Sequence, residues 1–130
     1  MWYDCLGRTD FLKHLYNKIP ELKSVFIENF SVTYYGWTVS IVFDMPRWVD
    51  VIPEKWKSQG YNSVRIAVEF SAVTNLAFSV GVGKRNDITM VAMDGNMIKV
   101  VLNGGINGEF IAEAGFIQKV TGYINDLSEE

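Results

Sequence analysis

The order of apolar and polar residues along the chain changes its period once, near residue 24. Before that point, five apolar residues fall on one helical stripe: Phe11, Leu12, Leu15, Tyr16 and Ile19. Thr9 or Asp10 can cap the first turn, while Pro20 removes a backbone donor and ends the helix. The spacing therefore predicts one helix over about residues 9–19, with an apolar face that packs on a sheet.

From Ser24 onward apolar and polar residues alternate, which is the period of a β-strand. Strands over about 24–34 and 37–45 then form a hairpin that turns at Tyr35-Gly36. In this register apolar residues pair with apolar ones and hydroxyls with hydroxyls: Val32 with Val39, Phe30 with Ile41, Phe26 with Met45, Thr33 with Thr38, and Ser31 with Ser40. A slip of one residue would destroy these pairs, so the pattern fixes the register.

A second hairpin is predicted where another alternating run follows the first. It joins residues 62–71 to residues 76–82, and it places Phe70 opposite Leu76. Both segments are rich in β-branched and aromatic residues, which favour strands.

A third hairpin joins residues 88–93 to residues 96–102. Its turn falls at Asp94-Gly95, a dipeptide typical of two-residue type I′ turns. This turn predicts that Val91 lies beside Ile98.

The C-terminal part of the chain adds one more strand over about 109–114. Residues 116–124 fit either a last strand or a short helix, and their β-branched residues and Gly122 favour the strand. Successive hairpins with short loops predict an α+β, β-rich fold: an antiparallel sheet of about six or seven strands with one N-terminal helix packed on it. Residues 1–130 are expected to form a single domain.

One segment interrupts the strands: "FDMPRWVDVIPEKW", residues 43–56, which we call the tryptophan segment. Pro46 and Pro53 prevent it from forming one long regular element. A long excursion between strands needs an anchor in the core, and we expect Trp56 to be at least half buried for this reason. For Trp48, a buried position and an exposed position for binding a partner fit the sequence equally well.

Composition narrows the class of protein. The chain has 130 residues, 48% of them hydrophobic, and a formal charge of −3. This composition argues against disorder, and the absence of a basic excess argues against nucleic-acid binding. A single cysteine, Cys5, cannot form an intramolecular disulfide. With no apolar run long enough to span a membrane, the sequence indicates a cytoplasmic protein.

No group of residues matches a known catalytic or metal site. His14 and Cys5 are each the only residue of their kind, so they cannot form a recognisable zinc site. No cofactor is expected, because "GVGKRND" at 81–87 lacks the full phosphate-loop spacing. A pair of carboxylates such as Asp44 and Glu69 leaves a hydrolase open as the less favoured alternative.

Several short motifs in one order resemble the immunity protein 50 family of bacterial polymorphic-toxin systems. They begin with Trp2 and continue along nearly the whole chain as "LYNKIPEL", "FDMP", "PEKW", "GYN", "VRIAVEF" and "VTGYI". The region after "NLAF" departs from the family's pattern. The resemblance implies a protein that binds and neutralises a cognate toxin by occlusion, without catalysis.

The aromatic and acidic side chains of the tryptophan segment are the candidate partner-binding residues: Asp44, Trp48, Asp50 and Glu54. A tight inhibitor needs aromatic anchors and charges that complement its partner. We expect a protein toxin as partner, no nucleic acid and no membrane, and either a monomer or a homodimer. The alternative function is a small-molecule binding domain whose antiparallel sheet lines an apolar pocket.

Overall fold

The computed structural model describes residues 1–34 and 37–126. It confirms a β-rich α+β fold in which a short N-terminal helix accompanies an antiparallel sheet. These described residues contain two α-helices, α1 (Asp10–Leu15) and α2 (Glu54–Gln59). The same part of the chain contains eight strands, where six or seven were expected: β1 (Val25–Thr33), β2 (Thr38–Asp44), β3 (Ser63–Ser71), β4 (Thr74–Val80), β5 (Arg85–Ala92), β6 (Ile98–Gly104), β7 (Ile106–Ala112) and β8 (Ala114–Tyr123).

The strands form one sheet in the order β4-β7-β6-β5-β1-β2-β3-β8. Two pairs of strands follow one another almost without interruption, since residues 72–73 separate β3 from β4 and Glu113 separates β7 from β8. Ser71 lies opposite Ala114, and Thr74 lies opposite Ile111. The four strands therefore form one long antiparallel ribbon with a bend, which carries the chain from one half of the sheet to the other.

This ribbon shows that the predicted second hairpin is wrong. Phe70 lies opposite Gly115 of β8 and Val39 of β2, while Leu76 belongs to β4, which pairs with β7. At the junction Ala72 adopts a left-handed backbone with φ 52°. The chain bends there instead of reversing, so the alternation continues with a different partner strand.

The first hairpin has the predicted register over most of its length. Phe30 lies opposite Ile41 and Val32 lies opposite Val39, while the hydroxyl pairs form as expected. The predicted turn at Tyr35-Gly36 lies outside the described residues. At the far end the prediction for Phe26 is wrong, because a bulge between Ile27 and Asn29 shifts the register and Phe26 pairs with Arg85 of β5.

The third hairpin is present, but its register differs by one residue. Ala92, not Val91, lies opposite Ile98. The loop contains three residues because Gly95 and Asn96 both take left-handed conformations, with φ of 75° and 62°. A two-residue type I′ turn at Asp94-Gly95 was therefore the wrong turn type.

Helix α1 ends at Leu15, earlier than the predicted end near residue 19. Its carbonyl oxygen accepts hydrogen bonds from the backbone N–H groups of Asp50 (2.9 Å) and Val51 (3.0 Å). Tyr16 is already extended, with φ −125°. The tryptophan segment thus donates to the free carbonyl group at the end of the helix. The residues after the helix form an extended chain.

The two halves of the sheet face one another across one apolar core. The first half contributes Phe43 and Phe70, and the second contributes Val100 and Phe110, all at most 1% exposed. The rings of Phe70 and Phe110 meet edge to face with centroids 5.2 Å apart. Residues 114–123 form the last strand that the sequence favoured, and β8 carries Ile117 into the same core.

Candidate partner-binding site

The tryptophan segment leaves the sheet at the end of β2 and returns to it through α2. At its first residue beyond the strand, the backbone N–H of Met45 still donates to the carbonyl oxygen of Val64, at 3.0 Å. Helix α2 begins after Pro53 and ends at Gln59, and the following Gly60, with a left-handed φ of 72°, closes the last turn. Both ends of the segment are therefore fixed to the sheet.

Trp56 is the anchor of this segment, as expected, since only 9% of its surface is exposed. Its ring meets Phe11 of α1 edge to face at a centroid distance of 5.8 Å. On the other side it packs against Tyr61 and over Gly122 of β8, where a Cβ atom would lie 2.8 Å from the indole. Glycine at this position gives the indole room to lie flat on the sheet.

Trp48 is half buried and rests on the anchor. The centroids of Trp48 and Trp56 are 5.9 Å apart and their rings are inclined by 31°. One face of Trp48 is therefore covered by another tryptophan, while the side chain also lines a surface cleft. An indole that is held in place but partly accessible can bind a partner at little entropic cost.

Asp50 holds the loop that carries Trp48. Its Oδ2 accepts from the backbone N–H of Asn17 at 2.9 Å, and its Oδ1 accepts from Arg47 Nη1 at 3.0 Å. The bond from Arg47, followed by that from Asn17, lowers the pKa of Asp50 below its ordinary value. The Arg47 guanidinium also donates to the carbonyl oxygen of Lys18 and stacks 4.9 Å from the ring centroid of Tyr16.

A second hydrogen bond ties the same loop to the chain after α1. The buried hydroxyl of Tyr16 donates to the carbonyl oxygen of Arg47 at 2.7 Å. Burial raises the pKa of Tyr16 well above its ordinary value, so the hydroxyl stays protonated and remains a donor.

Asp44, at the end of β2, is part of an ion-paired cluster on three strands. Its Oδ1 accepts from Arg65 Nε at 2.7 Å, and its Oδ2 accepts from the Tyr123 hydroxyl at 2.6 Å. Arg65 also lies 4.6 Å over the Tyr123 ring. The hydrogen bond to Asp44 raises the pKa of Arg65, and burial, followed by the bond to Asp44, raises that of Tyr123.

Glu54 lies apart from these interactions. It is the first residue of α2, where a carboxylate interacts favourably with the helix N-terminus. Its side chain is 92% exposed, and its carboxylate is 3.6 Å from Lys57 Nζ on the next turn. Of the four predicted partner-binding residues, Glu54 is thus the acidic group most accessible to another protein.

A cleft of about 1010 Å³ opens beside Trp48 and brings two of the four predicted residues together, Asp44 and Trp48. Asp50 and Glu54 do not line it. Sequence reasoning missed the other charged and aromatic residues of its wall, which are Arg47 of the tryptophan segment and, from distant parts of the chain, Phe26, Arg65, Lys84, Arg85, Tyr123 and Asp126. One signal was present, because Arg65 lies directly opposite Asp44 once β2 is paired with β3.

The carboxylates do not form the acid and base pair of a glycosidase. Asp44 lies opposite Arg65, whereas Glu69 lies opposite Ser40, four residues further along the same strands. At about 3.3 Å per residue this separates the two carboxylates by about 13 Å, beyond the range in which such pairs act on one bond. The alternative based on these two residues is therefore not supported by the geometry.

The other candidate groups for chemistry are also dispersed. The Nδ1 atom of His14 lies 2.8 Å from the carbonyl oxygen of Asp10 on the exposed side of α1. Within residues 1–34 and 37–126, no three His, Cys, Asp or Glu side chains are grouped so as to hold a metal ion. Over the same residues, no helix has the length and apolar character needed to cross a membrane.

Comparison with known proteins identifies a family. Neither the curated proteins nor the solved structures yielded a significant similarity. The model of the family described as immunity protein 50 matches residues 9–123, a range that contains both helices, all eight strands and the tryptophan segment. The chain therefore belongs to the immunity protein 50 family.

Proposed function

We propose that this protein binds and neutralises a cognate bacterial toxin by occlusion, in the cytoplasm and without catalysis. The observation that carries this proposal is the family match over residues 9–123. An immunity protein protects the cell that makes the toxin, so the partner is a protein encoded beside it. Neither nucleic acid nor a membrane is part of the proposed interaction.

The rigidity of the tryptophan segment supports its role as the toxin-binding surface. Leu15 accepts two backbone hydrogen bonds from it, Asp50 accepts one from Asn17, and Trp56 fixes it to the core. A surface that is ordered before binding loses little conformational entropy in the complex. Such pre-ordering favours the tight, long-lived binding that inhibition by occlusion needs.

Within this surface we assign the central contact to Trp48 and peripheral contacts to Asp44, Asp50 and Glu54. A half-buried tryptophan beside a cleft has the character of a binding hot spot. Because Asp44 and Asp50 already bind arginine side chains, the surface offers mixed charge around the indole. We expect the toxin to contribute both apolar area for Trp48 and a basic group for the exposed Glu54.

Coexpression with the neighbouring toxin tests the proposal. The wild-type protein should restore growth, Trp48→Ala should protect poorly, and Trp37→Ala should protect like the wild type. Trp37 is a matched control because it is an exposed tryptophan on the turn after β1, outside the tryptophan segment. Unchanged killing in the presence of the wild-type protein would reject the proposal for that toxin.

Titration distinguishes occlusion from catalysis. If the protein acts by binding, toxin activity should fall in proportion to added protein and reach zero near one equivalent. Toxin separated from the complex in denaturant and refolded should regain its activity. Complete inactivation by a small fraction of an equivalent would instead indicate an enzyme that modifies the toxin.

A further inference from the structure

The cleft beside Trp48 lies at one end of the sheet, where neighbouring strands begin or end. Strands β1, β3 and β5 begin there, while β2 and β8 end there. The cleft therefore gathers side chains that are far apart in the sequence. Its volume of about 1010 Å³ is at the upper end of the range for ligand sites, so it has room for several side chains of a ligand.

The wall of this cleft is basic, although the chain as a whole has a formal charge of −3. Its charged residues are four basic and two acidic ones: Arg47, Arg65, Lys84 and Arg85 against Asp44 and Asp126. Two of the arginines already have carboxylate partners, since Arg47 pairs with Asp50 and Arg65 with Asp44. The excess positive charge therefore belongs to the adjacent Lys84 and Arg85.

Lys84 and Arg85 are exposed and have few partners of their own. In the part of the chain that the structure describes, neither forms a salt bridge. Arg85 Nη1 donates to the carbonyl oxygen of Ser24 at 3.3 Å. Asp87, two residues further along β5, accepts from the backbone N–H of Ser24 at 2.8 Å and not from Arg85. The charges of Lys84 and Arg85 are thus available to a ligand.

The floor of the cleft adds a third donor and no free carboxylate. Arg65 donates to Asp44 and to the Tyr123 hydroxyl through Nε and Nη2. Its side chain is 31% exposed, and no described residue accepts from its Nη1. Both oxygens of Asp44 are already acceptors, one for Arg65 and one for Tyr123. An incoming carboxylate therefore meets donors at this floor.

The aromatic part of the wall connects the cleft to the tryptophan segment. Phe26, Trp48 and Tyr123 all line it. They offer apolar area for the methylene groups of acidic side chains and for a peptide backbone. Because Trp48 belongs both to this wall and to the proposed toxin-binding surface, a protein that contacts Trp48 also lies beside the cleft.

We propose that the cleft binds an acidic peptide segment of the toxin, with Lys84, Arg85 and Arg65 as the residues that bind its carboxylates. Lysine and arginine form charge-assisted hydrogen bonds with carboxylates, and complementary charge selects the partner. A peptide fits better than a single small anion because the cleft is large and has an aromatic wall. That the peptide belongs to the toxin rests on the proposed function, whereas the preference for acidic peptides does not.

A titration without the toxin tests the ligand chemistry. The indole N–H resonance of Trp48 reports binding of three probes: hexaglutamate, uncharged hexaglutamine and inorganic phosphate. We expect hexaglutamate to bind, with an affinity that falls as salt is added. Hexaglutamine and phosphate should bind at least about tenfold more weakly, since one lacks the charge and the other lacks the peptide.

Two double variants assign the binding to the cleft. Lys84→Gln/Arg85→Gln should bind hexaglutamate at least about tenfold more weakly than the wild type. Lys13→Gln/Lys119→Gln is the matched control, because it removes the same charge from exposed residues outside the cleft wall, and it should bind like the wild type. Circular dichroism of each variant verifies that it is folded.

Three results of the titration would overturn the proposal. They are no binding of hexaglutamate at about 1 mM, phosphate binding as tight as that of hexaglutamate, and equal affinity of the two double variants. The first would exclude an acidic peptide, the second would indicate a site for small anions, and the third would indicate a response to overall charge.

Calorimetry with the toxin separates this inference from the proposed function. The cleft variant should bind the toxin at least about tenfold more weakly than the charge-matched control. Equal toxin affinities of these two variants, with protection by the wild type intact, would overturn the inference and leave the proposed function standing. Failure of the wild type to protect would reject the proposed function and the toxin as the source of the peptide, while the hexaglutamate titration would still decide whether the cleft binds acidic peptides.

Discussion

Two regions present aromatic side chains at the surface, the tryptophan segment and a set of exposed residues around strand β4 that we call the β4 patch: Tyr34, Trp37, Phe78, Val80 and Val82. They hold these side chains in opposite ways. In the tryptophan segment, Trp48 rests on Trp56, and Trp56 rests on the sheet. In the β4 patch, Trp37 is 57% exposed and Val82 is fully exposed beside a strand edge. One region is fixed by its own side chains, whereas the other offers unpaired backbone.

This difference separates two modes of recognition. A prearranged aromatic surface binds through side chains and discriminates between partners by shape and charge. A free strand edge binds through backbone hydrogen bonds, with side chains setting the register. Exposure alone therefore does not identify the region that is proposed to bind the toxin. The more buried of the two regions is the better candidate, because its side chains already have defined positions.

The strongest test of the comparison is the stability of two tryptophan variants. Trp56→Ala should lower the free energy of unfolding by about 3–5 kcal/mol, the range for a large aromatic residue removed from a core. Trp37→Ala should lower it by less than about 1 kcal/mol, as is usual for surface positions. Urea denaturation of both variants measures the difference. Equal losses would mean that the two regions are anchored alike.

Gly122 offers a test of how tightly the anchor is packed. A Cβ atom there would lie 2.7 Å from the Tyr61 ring and 2.8 Å from the Trp56 ring, so Gly122→Ala should cost about 1–3 kcal/mol through overpacking. The matched control is Gly7→Ala, whose Cβ would meet Phe116 at an ordinary 3.6 Å. The control should remain within about 1 kcal/mol of the wild type. If both variants unfold at the same urea concentration, Trp56 is free to shift.

The sequence predicted the parts of the fold whose partners are close along the chain. The register of the first hairpin follows from matched pairs such as Val32 with Val39, and a slip would bury polar groups. For β4 the alternation of apolar and polar residues is equally clear. An alternating pattern is the same, however, whether the strand pairs with β3 or with β7. The bend at residues 72–73 has no strong signal in the sequence. The sequence therefore did not predict that the chain passes from one half of the sheet to the other at this point.

The candidate site was predictable to a similar extent. The concentration of tryptophan, proline and acidic residues indicated the segment, and the need for an anchor indicated Trp56. The ion pair of Asp44 with Arg65 requires the pairing of β2 with β3, and Tyr123 requires that of β3 with β8. Contacts between residues that lie so far apart in the sequence depend on the order of the strands in the sheet, which local periodicity does not specify.

Trp48→Ala should separate binding from stability. The stacking contact with Trp56 is worth about 0.5–1.5 kcal/mol beyond buried area, so we expect a modest loss of stability. Toxin binding should weaken by about thirtyfold or more, which corresponds to about 2 kcal/mol at a hot spot. Calorimetry of the complex and urea denaturation of the free protein give the two values. A large stability loss with unchanged affinity would make Trp48 a structural residue and would remove it from the proposed surface.

The smallest expected effect is the pH dependence that Asp50 contributes. Hydrogen bonds from Arg47 and Asn17 lower its pKa in the folded protein below the ordinary value of 3.8, so the folded state binds this proton less tightly than the unfolded state. The stabilisation is therefore complete above that value and is lost as the pH falls through the lower, folded pKa. Asp50→Asn should flatten the decline of the unfolding free energy in this acid range, and Arg47→Met, which removes the main donor, should flatten it similarly. Parallel stability curves for all three proteins between about pH 5 and pH 2 would show that this bond does not help to fix the tryptophan segment.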